Sequence, residues 1–325
     1  MTIRFSGSRR RGRTPLGAAM LLVALVVAAC GGGDRASGSG RSTAPGDVKP
    51  VAAGKALAVV ATTTQIADFL KNVGGGQITI STLVAAGQDP HEFEPKPADI
   101  QRLNAADIVF KNGAGLESGF VKFINNVPAA TPVLDLARGL TLRKAGKTVD
   151  AHIWHDPLNA KIMVNAIGDA LSKRDPANAR IYQANAAAYV QEIDALQGEM
   201  QRQFDAVPAA KRQLVTNHDA FGYLVARFGI TFVGAVIPSV DSNVEPNPQD
   251  TSALVKKIKA EHVCAIFTES SINPRLEQQI AADAGVKIYS NLYGDSLGPP
   301  GSDGDTYLKM EATNTRNMVA GMTAC

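Results

Sequence analysis

Apolar residues recur through the middle of this chain at Tyr182, Ala186, Tyr189, Ile193, Leu196, Met200 and Phe204, in steps of 4, 3, 4, 3, 4 and 4. That spacing keeps one apolar face on an α-helix over many turns. The run opens at Asp175-Pro176, an N-cap acid with proline at the first helical position, and Pro208 follows it. Roughly 30 residues rising about 1.5 Å each would span about 45 Å, long enough to cross a whole molecule. The stripe predicts a rigid linking helix over residues 175–208. A coiled coil is the alternative, but a single such segment inside an α/β chain reads better as a packed strut.

The flanks supply that α/β setting. Before the strut, short apolar or alternating runs at 57–61, 78–84, 108–110 and 132–136 predict strands, with helical patterns after 64 and over 99–106. After it, strands are expected at 213–216, 230–236, 263–267 and 286–289. Helices are expected there at 219–228, 249–260, 274–284 and 306–322. Strands alternating with helices at this spacing form parallel sheets. The expected fold class is therefore α/β, with two lobes joined by one long rigid helix. Each lobe is a mostly parallel sheet with flanking helices, over residues 51–174 and 209–325.

The beginning of the chain reads as a targeting segment. Arg4, Arg9, Arg10, Arg11 and Arg13 precede an apolar run over 16–27, too short for a spanning helix, which needs about 20 residues. Arg9-Arg10 hints at twin-arginine export, although the residues after it fit that pattern poorly. Small residues then lead into Cys30, and this arrangement resembles the lipobox of bacterial lipoproteins. The resemblance implies cleavage after residue 29 and lipidation of Cys30. The chain carries 33 basic and 30 acidic residues, but residues 1–29 hold five arginines and no acid. What remains has 28 basic against 30 acidic residues, so nothing argues for a nucleic-acid partner. Residues 30–50 are rich in Gly, Ser and charge and predict a flexible tether. Apart from Cys30, Cys264 and Cys325 remain, an even pair in an exported chain. A disulfide is the natural reading; two free buried thiols are the alternative.

Five histidines are present, and four of them (His91, His152, His155 and His218) fall at or just after expected strand ends. Ligands of open α/β sheets bind outside the carboxyl ends of strands, so residues distant in sequence can converge there. His91 lies in a loop whose path is set by Pro90, Pro95 and Gly87. His152 lies in Asp150-Ala151-His152-Ile153-Trp154-His155-Asp156-Pro157, and His218 opens an expected helix at Asn217-His218-Asp219. Asp295 follows the last expected strand.

At these residues the chain resembles the metal-binding lipoproteins of bacterial zinc and manganese ABC importers, the ZnuA/TroA type. The matching stretches are GQDPHEFEPKPADI, NAADIVFKNGAGLE, AHIWHDP, NHDAFGYLVARFGI, AIFTESSINPRL and LYGDSLGPPGSDGDTYL. The resemblance covers almost everything after Val59. It implies a metal held in the cleft between two lobes by His91, His152, His218 and Asp295, and delivery to an ABC permease at the outer face of the membrane or in the periplasm. It also implies that manganese-binding members tend to carry Glu where His218 stands.

Ligand chemistry agrees with this. Three imidazoles and one carboxylate suit Zn²⁺, whereas Mn²⁺ favours more oxygen ligands. The expected cargo is Zn²⁺, with Mn²⁺ as the alternative, and the expected state is a monomer. Some zinc-binding members carry a long His-rich loop before the second histidine; only residues 143–149 stand there, so no such loop is expected. His155 is expected at the rim of the site or orienting a ligand, and Glu269 holding the free ring nitrogen of a ligand histidine. His262 and Glu94 are expected to be structural, and Asp219 to interact with the N-terminus of its own helix. A zinc hydrolase would need an open coordination position and a general base, and neither a HExxH helix nor a clear base is present. An adhesin is a further alternative, but no receptor-binding motif is recognisable.

Overall fold

The computed structural model describes residues 41–44, 47–51 and 54–325. The expected leader, Cys30 and the first part of the expected tether lie outside the described residues. The later part of that tether is not a tether. The Arg41 guanidinium donates to the carbonyls of Val127, Pro128, Ala129 and Thr131, and the Thr43 amide donates to the Val133 carbonyl. Val48 is buried in the main core. Arginine's five-donor fork suits such a cluster of loop carbonyls, and low hydrophobicity alone did not reveal it.

The first half is a four-stranded parallel sheet in the order β2-β1-β3-β4. It comprises β1 (Leu57–Ala61), β2 (Ile78–Thr82), β3 (Ile108–Lys111) and β4 (Val133–Asp135). Helices α1 (Thr64–Gly74), α2 (Pro97–Ala105) and α3 (Val121–Asn125) connect these strands. Every residue of β3 is buried, as a central parallel strand covered on both faces requires. The stretch over 143–149 forms a small antiparallel hairpin of β5 (Lys144–Ala145) and β6 (Thr148–Val149). Helix α4 (Pro157–Arg174) then starts where Asp156 accepts the Leu158 amide and Pro157 occupies the first turn.

The strut is shorter than the sequence suggested. Asp175 ends α4, residues 176–178 form a 3₁₀ turn, and α5 runs Ala179–Asp205, 27 residues. At about 1.5 Å per residue it is roughly 40 Å long. Its apolar stripe serves two cores. Tyr182, Ala186, Tyr189 and Ile193 pack into the first, Met200 and Phe204 into the second, and Leu196 touches both.

The second half contains two parallel strand pairs rather than one continuous sheet. β7 (Gln213–Thr216) pairs with β8 (Thr231–Ala235), and β9 (Ala265–Glu269) pairs with β10 (Lys287–Leu292). β9 runs beside β7, and at their ends the Asn217 side chain accepts the Glu269 amide at 2.8 Å, a side chain doing the work of a ladder bond. Helices α6 (Gly222–Phe228), α7 (Pro248–Ala260), α8 (Arg275–Ala284) and α9 (Tyr307–Met322) complete it. Cys264, just before β9, is joined to Cys325, just beyond α9, as the even cysteine pair suggested.

α9 is not confined to the second half. Tyr307 and Met310 lie in the first core, Met318 and Met322 in the second. At its N-terminus the buried Asp68 carboxylate of α1 accepts both the Tyr307 amide and the Tyr189 hydroxyl, each at 3.0 Å. Two helices therefore tie the halves together, where the sequence pattern revealed one. Among the described residues, no helix is long and apolar enough to cross a membrane.

Candidate metal centre

His91, His152, His218 and Asp295 come together at the carboxyl ends of the strands. Each offers one ligand atom, and these atoms lie within 4.8 Å of one another. The Nε2 atom of His152 is 3.4 Å from that of His91 and 3.3 Å from that of His218. Asp295 places Oδ1 at 3.1 Å from His152 Nε2 and Oδ2 at 3.3 Å from His218 Nε2, with His91 Nε2 at 3.9 Å. Two donors each about 2.0–2.1 Å from a common centre at the tetrahedral angle stand about 3.3–3.4 Å apart. The distances from His152 and between His218 and Asp295 match that spacing, whereas His91 stands 3.9 Å from Asp295. Both Asp295 oxygens are buried, and neither has a hydrogen-bond partner beyond the facing His152 and His218 rings. A buried carboxylate left this way costs stability unless something else completes it.

Local chain chemistry aims each ring. His152 Nδ1 meets Asp150 Oδ1 at 2.9 Å, and the same oxygen accepts the His152 amide at 3.0 Å. His218 Nδ1 meets Glu269 Oε1 at 2.8 Å. A carboxylate on one ring nitrogen fixes the tautomer and turns the other nitrogen toward the centre. Glu269 thus stands where the sequence placed it, at the end of β9. Asp150 was missed, although an acid two residues before a histidine can close a local turn on that histidine's amide. Its outer oxygen pairs with Arg143 at 3.1 Å. A side-chain carbon on Gly222 would collide with that pair, which leaves glycine the residue that fits. His91 is the least buried of the four and is steered only weakly, with the half-exposed Asp241 at 3.9 Å from its Nδ1. Its loop is pinned by the Asn243 side chain, which donates to the His91 carbonyl at 2.8 Å, and by Asp89, which accepts from Ser242 at 2.6 Å. A cavity of about 340 Å³ lined by His91, Ser118, Lys147 and Asp241 leads from solvent to this edge.

The charges are poised for a cation. Burial disfavours a charged His152, but the Asp150 hydrogen bond and the Asp295 carboxylate outweigh it, and its pKa is pushed up to about 9. Burial likewise opposes charge on His218, yet Glu269 and Asp295 hold it well above the ordinary imidazole range. His91 is lowered by burial, which the neighbouring Asp295 only partly offsets. Asp295 is held well below the carboxylate range because the facing His218 and His152 overcome its burial.

Other expectations fare differently. His155 is fully buried, not at a rim, and is not one of the converging four. Its Nδ1 lies 2.7 Å from Glu311 and its Nε2 3.0 Å from the Gly294 carbonyl. His218 does not open a helix, because α6 begins only at Gly222. Asp219 therefore caps nothing; its half-buried carboxyl is pushed up by burial and by Asp150, while its amide donates to Ser239 at 2.9 Å. His262 is exposed before β9, with φ of 53°. Glu94 is exposed in its loop.

Two α/β halves braced by a long helix, with three imidazoles and one carboxylate converging between them, define a metal-binding solute-binding protein of ABC import. Residues 59–321 match the ZnuA family, described as the periplasmic component A of a zinc-uptake complex, and the chain belongs to that family. It is a binding protein, not an enzyme. It is 32% identical over 286 residues to PsaA of Streptococcus mitis, named a manganese ABC transporter substrate-binding lipoprotein, covering 84% of this chain and 92% of that one. It is 33% identical over 278 residues to MtsA of Streptococcus pyogenes serotype M1, named an iron ABC transporter substrate-binding lipoprotein, covering 82% and 89%. The solved structure of TroA, a periplasmic zinc-binding protein from Treponema pallidum, superposes with a TM-score of 0.79 at 29% identity, covering 83% of this chain and 99% of that one.

Proposed function

We propose that this protein captures Zn²⁺ through His91, His152, His218 and Asp295 and hands it to an ABC permease, while anchored outside the cell membrane by a lipid on Cys30. The observation that carries the zinc reading is the donor set, three imidazole nitrogens and one carboxylate gathered within 4.8 Å of one another. Nitrogen-rich, four-donor ligation suits Zn²⁺, whereas Mn²⁺ favours more oxygen ligands. Glu269 adds a second support. It is placed to accept an imidazole N–H at position 218, so the surroundings are built for a histidine there. The relatives named for manganese and iron supply the second reading, a cation of the same charge that takes more oxygen ligands. Anchoring through Cys30 rests on the lipobox-like start and on relatives named as lipoproteins.

Chelator-stripped protein should be stabilised by Zn²⁺ more than by Mn²⁺ at equal concentration. A ligand at about a hundred times its Kd adds about 2.7 kcal/mol. For a folded region of this size that raises Tm by about 5 °C. An upshift larger with Mn²⁺ than with Zn²⁺ would overturn the zinc reading and leave the metal site standing. No upshift with either ion would overturn both.

His218→Glu should move selectivity toward Mn²⁺ by at least about tenfold, since one nitrogen is exchanged for oxygen. The new carboxylate would also face Glu269 with no N–H between them. Competition titrations with both ions check this, and an unchanged zinc-to-manganese ratio would mean that position 218 does not set the preference.

A further inference from the structure

We infer that Trp154, His155 and Glu311 act together as positioning residues for Asp295, by clamping the backbone carbonyl of the residue before it. The inference rests on the reading of Asp295 as a metal ligand. The indole N–H of Trp154 donates to the Gly294 carbonyl at 3.0 Å, and His155 Nε2 meets the same oxygen at 3.0 Å. Both come from the turn Ile153–His155 in the first half, whereas Gly294 follows β10 in the second. On the far side of the imidazole, His155 Nδ1 meets Glu311 Oε1 of α9 at 2.7 Å. The Tyr307 hydroxyl, at the start of α9, donates to the Trp154 carbonyl at 2.9 Å.

Asp295 needs such support because its carboxylate faces only the histidines of the set: Oδ1 lies 3.1 Å from His152 Nε2 and Oδ2 lies 3.3 Å from His218 Nε2. Neither oxygen has a hydrogen-bond partner beyond those rings, so the carboxylate is aimed by the backbone that carries it. That backbone is boxed in. The Asn314 side chain of α9 bonds both the amide and the carbonyl of Tyr293 at 2.8 Å, and the Leu297 amide donates to Thr64 at 2.8 Å. A side-chain carbon on Gly294 would strike the Glu269 carboxylate. The clamp is the part of the box that pulls on the peptide next to the ligand.

With Nε2–H donating to the Gly294 carbonyl, Nδ1 faces the Glu311 carboxyl on the opposite side, and the two contacts together fix the orientation of the ring. His155 and Glu311 are both fully buried, as is Trp154, the single tryptophan of the chain.

The test is a double-mutant cycle read by zinc affinity, using a chromophoric chelator as competitor. His155→Leu paired with Glu311→Leu removes the polar clamp without orphaning a buried charge. It should weaken zinc binding about tenfold, the lower end of the effect of partners outside the ligand shell. Glutamine at position 155 keeps a donor for the Gly294 carbonyl, so His155→Gln should recover most of that loss. In an Asp295→Ala background the paired leucine substitution should cost nothing more. An equal loss in both backgrounds would overturn the clamp as a device acting through Asp295. Should Asp295→Ala itself leave zinc affinity unchanged, the ligand reading falls and the clamp falls with it. If the leucine pair does not fold, Trp154→Phe removes one of the two donors and keeps an aromatic ring. It should show the same dependence on Asp295, and the absence of that dependence would overturn the proposal.

Discussion

Replacing His152 with alanine should lower zinc affinity by more than about a hundredfold. Four-ligand structural zinc sites contribute roughly 10–16 kcal/mol, so one ligand in four carries about 3 kcal/mol. His152 stands at the centre of the set, within 3.1–3.4 Å of the other three ligand atoms, and is fully buried. Water cannot easily replace it, because the surrounding space is filled by Trp154 at 5.4 Å between ring centres and His218 at 5.1 Å. Asp150→Asn should cost less, about 10–100-fold, since it leaves the imidazole in place and removes only the charge that orients it. The comparison separates ligand from support. Equal losses for the two variants would mean that His152 does not contact the ion, and a loss under threefold for His152→Ala would remove it from the site. His91→Ala should fall between them, as its ring is the most exposed and the least tightly held.

Uptake of one zinc ion near pH 7 should release about two protons. A ligating nitrogen must be free of its proton. Before the metal arrives, His152, with its pKa pushed up to about 9, and His218, held well above the imidazole range, each carry a proton shared with the carboxylates around them. His91 is shifted the other way by burial and enters already neutral. The sign follows. Protons compete for His152 and His218 throughout the range below their raised pKa values, so affinity climbs with pH up to about pH 9, by about two log units per pH unit near neutrality. Below the ordinary imidazole range near pH 6.5, His91 begins to compete as well and the slope steepens. Calorimetry in buffers of different ionisation enthalpy counts the protons directly. A count of zero at pH 7 would mean that the two buried histidines are neutral before binding and that the paired carboxylates do not hold charge there. Free imidazoles would place this dependence near pH 6.5. The carboxylates packed around the rings move it upward.

The legible parts of the site came from two sources. Strand ends, encoded locally by the alternation of side chains, brought His91, His218 and Asp295 forward as candidates at the carboxyl edge of the sheets. The full set, with His152 standing 16 residues past the last strand expected before it, came from the resemblance of its motifs to the family. Glu269 was readable from the first source, since it ends β9. Asp150 was within reach of a local argument, whereas the role of Gly294 was not: only the Glu269 carboxylate in its place explains the glycine. The structured run of Arg41 and Thr43 was also hidden, because its partners are backbone carbonyls nearly 90 residues away, a feature without a compositional signal.

By itself the sequence determined the α/β rhythm and the long apolar stripe, because each depends on periodicity along the chain, while the four candidate ligands came from the resemblance of local motifs to the family. Tertiary structure alone decided three other things. It set the 3.1–3.4 Å spacing from His152 to its fellow ligands. It used one stripe on α5 to fill two cores and sent α9 across both. It drew His155 away from the metal to meet Glu311, 156 residues further along. These outcomes depend on how finished elements pack against one another. A side chain's partner across a fold is set by which faces bury together, and no local pattern along the chain carries that information.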